Sequence, residues 1–483
     1  MSPTTTDKKR WNFRLLWLPG LLLLSLGIGL PYLLRKREVI QPILVITTPP
    51  ALKVSESGRH LVQSDGKPFF WMADTAWQLI HDLNPEEVEH YLQDRAAKGF
   101  NVIQTVALAE RGGVESSNAH GHAPFRGRNV ARPDVRQEEN YWTHVDHVIQ
   151  RAAHHGIYVA LTPTWGSHVT RNSSNGKVNG VFTPEKAEAY GRFLGERYGQ
   201  ASNIVWMLGG DRAASTGESK TIWREMAYGI AKGAAGGKAD QAAVLMTYHP
   251  NGHRSSSDFF DLDPWVDFHG IQSGHSAATA TWKLVQRDYH RVPAKPVIDL
   301  ETTYDEIIFG SGTAPVTADV VRRAAYSAVF AGAAGHTYGH NSVWQFCNKD
   351  RGRAYGAKTH WQEALSAPSA MEMGHLRRLM ESHDFLTQMP DASLIVAAQP
   401  DTAARTLALR GEAAALVYFP MGRTQDIRLG HPPGKRVAAS WFDPRTGQSQ
   451  PIGELENTGQ RTFDPPGAEV PGNDWVLVLS GLN

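Results

Sequence analysis

One cysteine, Cys347, is all that 483 residues contain, so an intramolecular disulfide is excluded and stability must come from packing. Charge is equally sparing: Lys+Arg 49 against Asp+Glu 48 leave a formal +1, which lacks the basic field of a nucleic-acid binder. The 21 histidines include the pairs His336/His340, His249/His253 and His120/His122, yet no His-Glu-x-x-His element or cysteine cluster accompanies them. No metal or other cofactor is therefore expected. A Gly-rich phosphate loop and a Gly-x-Ser-x-Gly elbow are missing too, which removes the usual signals for nucleotide and serine-hydrolase chemistry. Long hydrophobic runs are scarce. The one example is Leu15 to Leu34, twenty uncharged residues between Arg14 and Arg35. As a helix it would span about 30 Å, the hydrocarbon thickness of a bilayer. Arg35-Lys36-Arg37 after it favours an uncleaved signal anchor over a cleaved signal peptide.

What is present is an alternation of apolar runs and helical patterns. Residues 1–37 read as a cytoplasmic tail and anchor, and 38–53 as a linker containing Thr47-Thr48-Pro49-Pro50. From residue 54 to 387, eight short strands are expected. They end near Asp74, Ala107, Leu161, Leu208, Thr247, Ile271, Leu300 and Tyr338. Helices predicted over Pro85 to Lys98 and Tyr141 to His155 show apolar residues at helical spacing and stop at Gly99 and Gly156. Eight such repeats predict a (β/α)8 TIM barrel, with a doubly wound open sheet as the alternative because the fifth and sixth runs are short. Residues 388–483 change to short strands and turns, predicted at Ser393–Ala398, Thr406–Arg410, Ala414–Phe419, Val437–Phe442 and Trp475–Leu479. That pattern indicates a β-sandwich.

Two of the apolar runs end on an acid. Asn203-Ile204-Val205-Trp206-Met207-Leu208-Gly209-Gly210 leads to Asp211, and Pro296-Val297-Ile298-Asp299-Leu300 leads to Glu301. Buried parallel strands deliver their ends to the carboxyl edge of a barrel, where catalytic groups gather. Two carboxyl groups over one pocket can protonate a leaving oxygen and attack or stabilise an anomeric carbon, the minimum apparatus for cleaving a glycosidic bond. One of them must be protonated, and each supplies a like charge that raises the other's pKa. Fourteen Trp and fourteen Tyr suit sugar stacking as well as core filling. Strand-end position adds Asp74, Trp77, Gln104, Trp165, His249, Gln272, His336 and Tyr338 as substrate-binding candidates. Glu110 to Asn140 and Arg171 to Gly180 read as polar mouth loops. Arg126, Arg128, Arg132 and Arg136 in the first are either solvated charges or contacts for an acidic polysaccharide.

The segments Pro68-Phe69-Phe70-Trp71-Met72-Ala73-Asp74-Thr75-Ala76-Trp77 and Lys98-Gly99-Phe100-Asn101-Val102-Ile103-Gln104 resemble the apiosidase-like barrel, once classed as a domain of unknown function. Asn203 to Arg212 and Pro296 to Thr302 resemble its later signatures. That group includes glycoside hydrolase family 140, whose activity is release of apiose from a branch of pectic rhamnogalacturonan II. The resemblance implies Asp211 as acid/base and Glu301 as nucleophile, on the fourth and seventh strands as in many retaining barrel glycosidases. Trp441-Phe442-Asp443-Pro444-Arg445-Thr446-Gly447 and Asn473-Asp474-Trp475-Val476-Leu477 resemble the sandwich that follows this barrel, a domain named for collagen binding. The expected protein is a retaining, exo-acting glycosidase of a plant-type polysaccharide, held to the membrane by one N-terminal helix with its catalytic domain outside the cytoplasm, or exported after cleavage. The alternative is a non-catalytic surface protein that binds glycan or matrix through an inactive barrel.

Overall fold

The computed structural model describes residues 48–170, 180–238 and 244–482. The expected anchor at 15–34 lies outside the described residues, as do 171–179 of the second mouth loop and residues 239–243. Among the described residues no helix is long and apolar enough to cross a membrane.

Eight parallel strands form the barrel: β1 Trp71–Thr75, β2 Val102–Val106, β3 Tyr158–Thr162, β4 Ile204–Gly209, β5 Met246–His249, β6 His269–Gln272, β7 Val297–Glu301 and β8 Gly335–Tyr338. Their hydrogen-bonded order is 5-4-3-2-1-8-7-6, with β1 paired to β8. Because β1 pairs with β8 and neighbours follow chain order, the doubly wound alternative is excluded. No ladder joins β5 to β6. Instead Thr247 Oγ1 donates to the Phe268 carbonyl at 2.6 Å, and the amide of Met246 donates to Asp267 Oδ2 at 2.7 Å. Gly270 permits this approach, since a Cβ there would lie 2.9 Å from the Tyr248 carbonyl oxygen. Together with one main-chain bond, from the Asp267 amide to the Met246 carbonyl at 2.9 Å, these side-chain bonds complete the closure at the seam between β5 and β6.

Every residue of these eight strands is buried, which is why they read as apolar runs without alternation. The alternation is nonetheless there. Trp71, Ala73, Val102, Val205, Met207 and Leu300 fill the barrel interior. Ile103, Val159, Leu161, Trp206 and Leu208 face the helices. Helix Pro85–Ala97 begins with a reciprocal cap, the Glu87 amide donating to Asn84 Oδ1 at 2.9 Å and the Asn84 amide to Glu87 Oε2 at 3.1 Å.

Folded structure begins earlier than residue 54. Strand Leu52–Val54 pairs with Leu61–Gln63, and Ser202 donates to the Pro49 carbonyl at 2.7 Å, so the Pro-Pro end of the expected linker is fastened to the barrel. At the other end, an antiparallel six-stranded sheet runs in the order Met389–Pro390, Leu407–Arg410, Ala414–Phe419, Trp475–Leu482, Arg436–Phe442, Ser449–Glu456. A two-stranded sheet, Gln425–Arg428 with Gln460–Phe463, faces it. The strand expected at Ser393–Ala398 is absent. A 3-10 turn occupies Ala392–Leu394, and Ile395 makes only an isolated bridge to Ile427. Three polar strands, Gln425–Arg428, Ser449–Glu456 and Gln460–Phe463, escaped notice because one or both faces meet water.

The six-stranded sheet is covered on both sides. Ala415, Val417 and Phe419 pack toward the small sheet, while Leu416 and Tyr418 pack with Tyr326 and Phe330 of the barrel helix Ala318–Phe330. Arg322 of that helix donates to Asp474 at 3.0 Å through Nε and lies 2.9 Å from Glu372, all three buried. Tyr418 also donates to Asp474, at 3.1 Å.

Candidate active site

The carboxyl edge of the barrel opens on a cavity of about 390 Å³. Glu301, Trp77, Trp165 and Gln272 form its buried floor, and Asp211 stands on its wall. Glu301 arrives there through an irregularity. In a regular strand Asp299 and Glu301 would share a face. The β6–β7 register shifts so that Ile271 pairs with Asp299 but Gln272 with Glu301, leaving Leu300 as the extra residue. This bulge turns Glu301 inward beside Gln272. Asp299 stays outside the barrel, accepting from Ser273 Oγ at 3.0 Å, and burial pushes its carboxyl up to about 7.

Both oxygens of Glu301 are engaged. Tyr304 donates its hydroxyl to Oε1, with Trp77 Nε1 in turn donating to the Tyr304 oxygen at 3.0 Å. His275 Nε2 lies 3.3 Å from Oε1 and His249 Nε2 3.1 Å from Oε2. The Pro250 carbonyl accepts from His249 Nδ1 at 2.9 Å and fixes that ring. Burial works to raise the Glu301 pKa, but hydrogen bonding and attraction from His249 and His275 overcome it and hold the carboxyl well below the usual range.

Asp211 is placed by a turn that only glycine permits. Gly209 and Gly210 have φ of 104° and 115°, and Asp211 itself is left-handed at φ 49°. A Cβ on Gly209 would meet the His249 carbonyl at 2.2 Å, and one on Gly210 the Trp165 ring at 2.8 Å. Arg212 Nη1 donates to Asp211 Oδ2 at 3.1 Å, while its Nη2 donates to Glu110 Oε1 at 2.8 Å. Burial raises the Asp211 pKa and the Glu301 charge adds to it, against the pull of Arg212 and His249. One carboxyl is thus held ionised and the other is biased toward its acid form, the division of labour that acid-assisted displacement requires.

Two buried polar atoms at the floor, Trp165 Nε1 and Gln272 Oε1, have no hydrogen-bond partner. Such groups call for a polar ligand, and the edge-to-face pair Trp77–Trp165 at 5.0 Å beside them offers apolar surface. The combination suits a sugar.

Of the strand-end candidates, Trp77, Trp165 and Gln272 line the cavity, and His249 stands behind Glu301. Four others do not line it. Asp74 faces the helices, accepts the Tyr91 hydroxyl at 2.6 Å and lies 3.5 Å from Arg95. On β8 the inward residues are Gly335 and Thr337, so His336 and Tyr338 point outward. His336 is fully buried 3.9 Å from Asp299, and Tyr338 bonds Ser369 at 3.0 Å. Gln104 is inward but beneath the floor, donating to the Leu300 carbonyl at 2.8 Å. Position at a strand end does not fix side-chain parity, which separates these from Trp77 and Gln272. The Arg126 and Arg136 side chains do not line the cavity and instead pair with Asp134, at 3.7 and 2.7 Å. Sequence reading missed Tyr304, His275 and Glu110. The first two follow the ends of β7 and β6 by three residues each, so a scan of the loops just after the strand ends would have found them.

Fold and site together define a barrel hydrolase of glycosidic bonds. Comparison with known families agrees: residues 55–387 match the model described as "Apiosidase-like, catalytic domain", and 389–480 match "Putative collagen-binding domain of a collagenase". The chain belongs to the apiosidase-like family and is a glycosidase. A solved structure described as a glycoside hydrolase is 34% identical, covering 89% of this chain and 97% of its own, with a TM-score of 0.81. A glycoside hydrolase family 5 protein from Bacteroides vulgatus is 32% identical, covering 89% and 93%, also with a TM-score of 0.81. The comparison with curated proteins finds no match.

Proposed function

We propose that the protein is a retaining, exo-acting glycosidase in which Glu301 is the nucleophile and Asp211 the acid/base, with a pectic side chain of the rhamnogalacturonan II type as substrate. The observation that carries the reading is the grip on Glu301. A carboxylate held by Tyr304, His275 and His249 is a poor base for water but is fixed and ionised for attack on an anomeric carbon. Asp211 protonates the leaving oxygen as Glu301 bonds to the sugar. The glycosyl ester then has no charge at Glu301, which removes one of the three influences raising the Asp211 pKa, burial and Glu110 being the others. Asp211 is thereby readied to deprotonate the water that releases the sugar.

The exo assignment rests on the shape of the mouth. Loops after β2, β4, β5, β6, β7 and β8 contribute Glu110, Asp211, His253, His275, Phe309 and Tyr355 around the cavity, which supports an exo-acting reading. The pectic substrate rests on family resemblance. The Leu15–Leu34 segment supports display outside the cytoplasm on a single membrane anchor, which cell fractionation of the full chain with and without residues 1–37 would test.

The decisive experiment incubates the protein with rhamnogalacturonan II, identifies the released sugar and follows its anomeric configuration by NMR before mutarotation. Retention with loss of release in Glu301→Gln supports the proposal. Inversion, or undiminished release by that variant, would overturn the nucleophile assignment.

A further inference from the structure

Of the ten large apolar side chains exposed among the described residues, only two are aromatic: Phe309, 45% exposed, and Tyr355, 51%. Both line the catalytic cavity, one from the loop after β7 and one from the loop after β8, with ring centroids 6.0 Å apart. The strip they form is continuous with the reacting groups. Phe309 lies 5.1 Å from the ring of His275, itself beside Glu301, and Tyr355 lies 6.5 Å from buried Trp344. Tyr355 is held open at a cost, because its backbone is left-handed at φ 50°. Its carbonyl accepts from Asn341 Nδ2 at 2.8 Å and from the Ile308 amide at 3.1 Å, so the surroundings impose that conformation. Burial does not explain either ring. A strained loop that presents an aromatic face to solvent at the mouth of a sugar pocket suits ligand contact.

We infer that Phe309 and Tyr355 form a second carbohydrate subsite, which stacks the ring of the sugar unit on the leaving-group side of the scissile bond. The inference rests on the exo reading above. With the lost sugar on the floor against Trp77, Trp165 and Gln272, the remaining chain leaves through the mouth, and among the described residues this pair is the exposed aromatic surface there. Aromatic rings pack on the C–H face of a sugar ring without needing particular hydroxyls, so the subsite selects a glycosyl leaving group over a small alkyl one.

The test uses the full chain and the double variant Phe309→Ser, Tyr355→Gly. Glycine suits the left-handed position, so the change removes the ring while relieving strain. In the active enzyme, kcat/KM is measured for a rhamnogalacturonan II oligosaccharide and for the methyl glycoside of its released sugar. The oligosaccharide-to-methyl ratio should fall about tenfold, mostly through KM, and Tyr355→Phe alone should preserve it. An unchanged ratio overturns the subsite. Binding supplies a second arm that does not depend on the pectic assignment: Glu301→Gln protein is applied to immobilised pectins, xylans, mannans and glucans, with and without the rim substitutions. Rim-dependent retention of a non-pectic glycan would sink the pectic substrate and support the subsite. Retention indifferent to the rim, or no retention of any glycan, would overturn the subsite itself.

Discussion

The ends of β7 and β4 deliver the same functional group in opposite states. Glu301 is buried, with donors on both oxygens, and its strand is bulged to aim it. Asp211 is 44% exposed at its side chain, sits on a strained Gly-Gly turn and has one cationic partner that it shares with Glu110. The contrast teaches that burial alone does not set protonation. Burial pushes both groups upward, and the difference comes from the histidines and hydroxyl packed on Glu301 against the like charge seen by Asp211.

That comparison can be broken outright by Glu301→Gln, which keeps the shape but removes the charge. Hydrolysis should fall by about 10⁴-fold or more, with folding retained by circular dichroism. Next in size is Arg322→Ala, far from both acids. It leaves Asp474 and Glu372 buried without their cation, and denaturant titration should show a loss of about 3–5 kcal/mol, while the pH profile of any residual folded enzyme keeps its shape. A shifted profile would mean that the sandwich interface reaches the site.

Tyr304→Phe sharpens the comparison by weakening the grip on Glu301. Activity should drop about tenfold, in line with one lost hydrogen bond to a charged group. The carboxylate must be ionised to attack, and removing a donor raises its pKa, so the acidic limb of kcat/KM should move to higher pH. The smallest effect is expected for Glu110→Gln. Asp211 faces Glu301, His249, Arg212 and Glu110, and the last of these raises its pKa. Neutralising Glu110 lowers that pKa. Because Asp211 must be protonated for the first step, the basic limb should move to lower pH by about half a unit, with the acidic limb in place. A basic limb moving upward would reverse the assigned roles.

The eight runs were legible because strands buried on both faces are mostly apolar, with few polar residues such as Asp74, Gln104 and Asp299 inside them. Asp211 was legible as the first charge after such a run, and Glu301 as the acid on which its run ends, two residues past Asp299. Ser449–Glu456 was not legible, since an exposed edge strand has no apolar face to announce it. Asp74, His336 and Tyr338 were placed in the pocket because a strand end was read without its parity. Each is buried against the helices instead.

The sequence by itself determined the runs, the glycines that let the chain turn before Asp211, and the pair of acids at the barrel edge, because these depend on local burial and backbone freedom. Only the tertiary structure decided that Glu301 and not Asp299 faces the cavity, and that Phe309 and Tyr355 meet at its mouth. The first depends on the register between β6 and β7, the second on loops that join only when the barrel closes. Neither is a property of the residues taken alone.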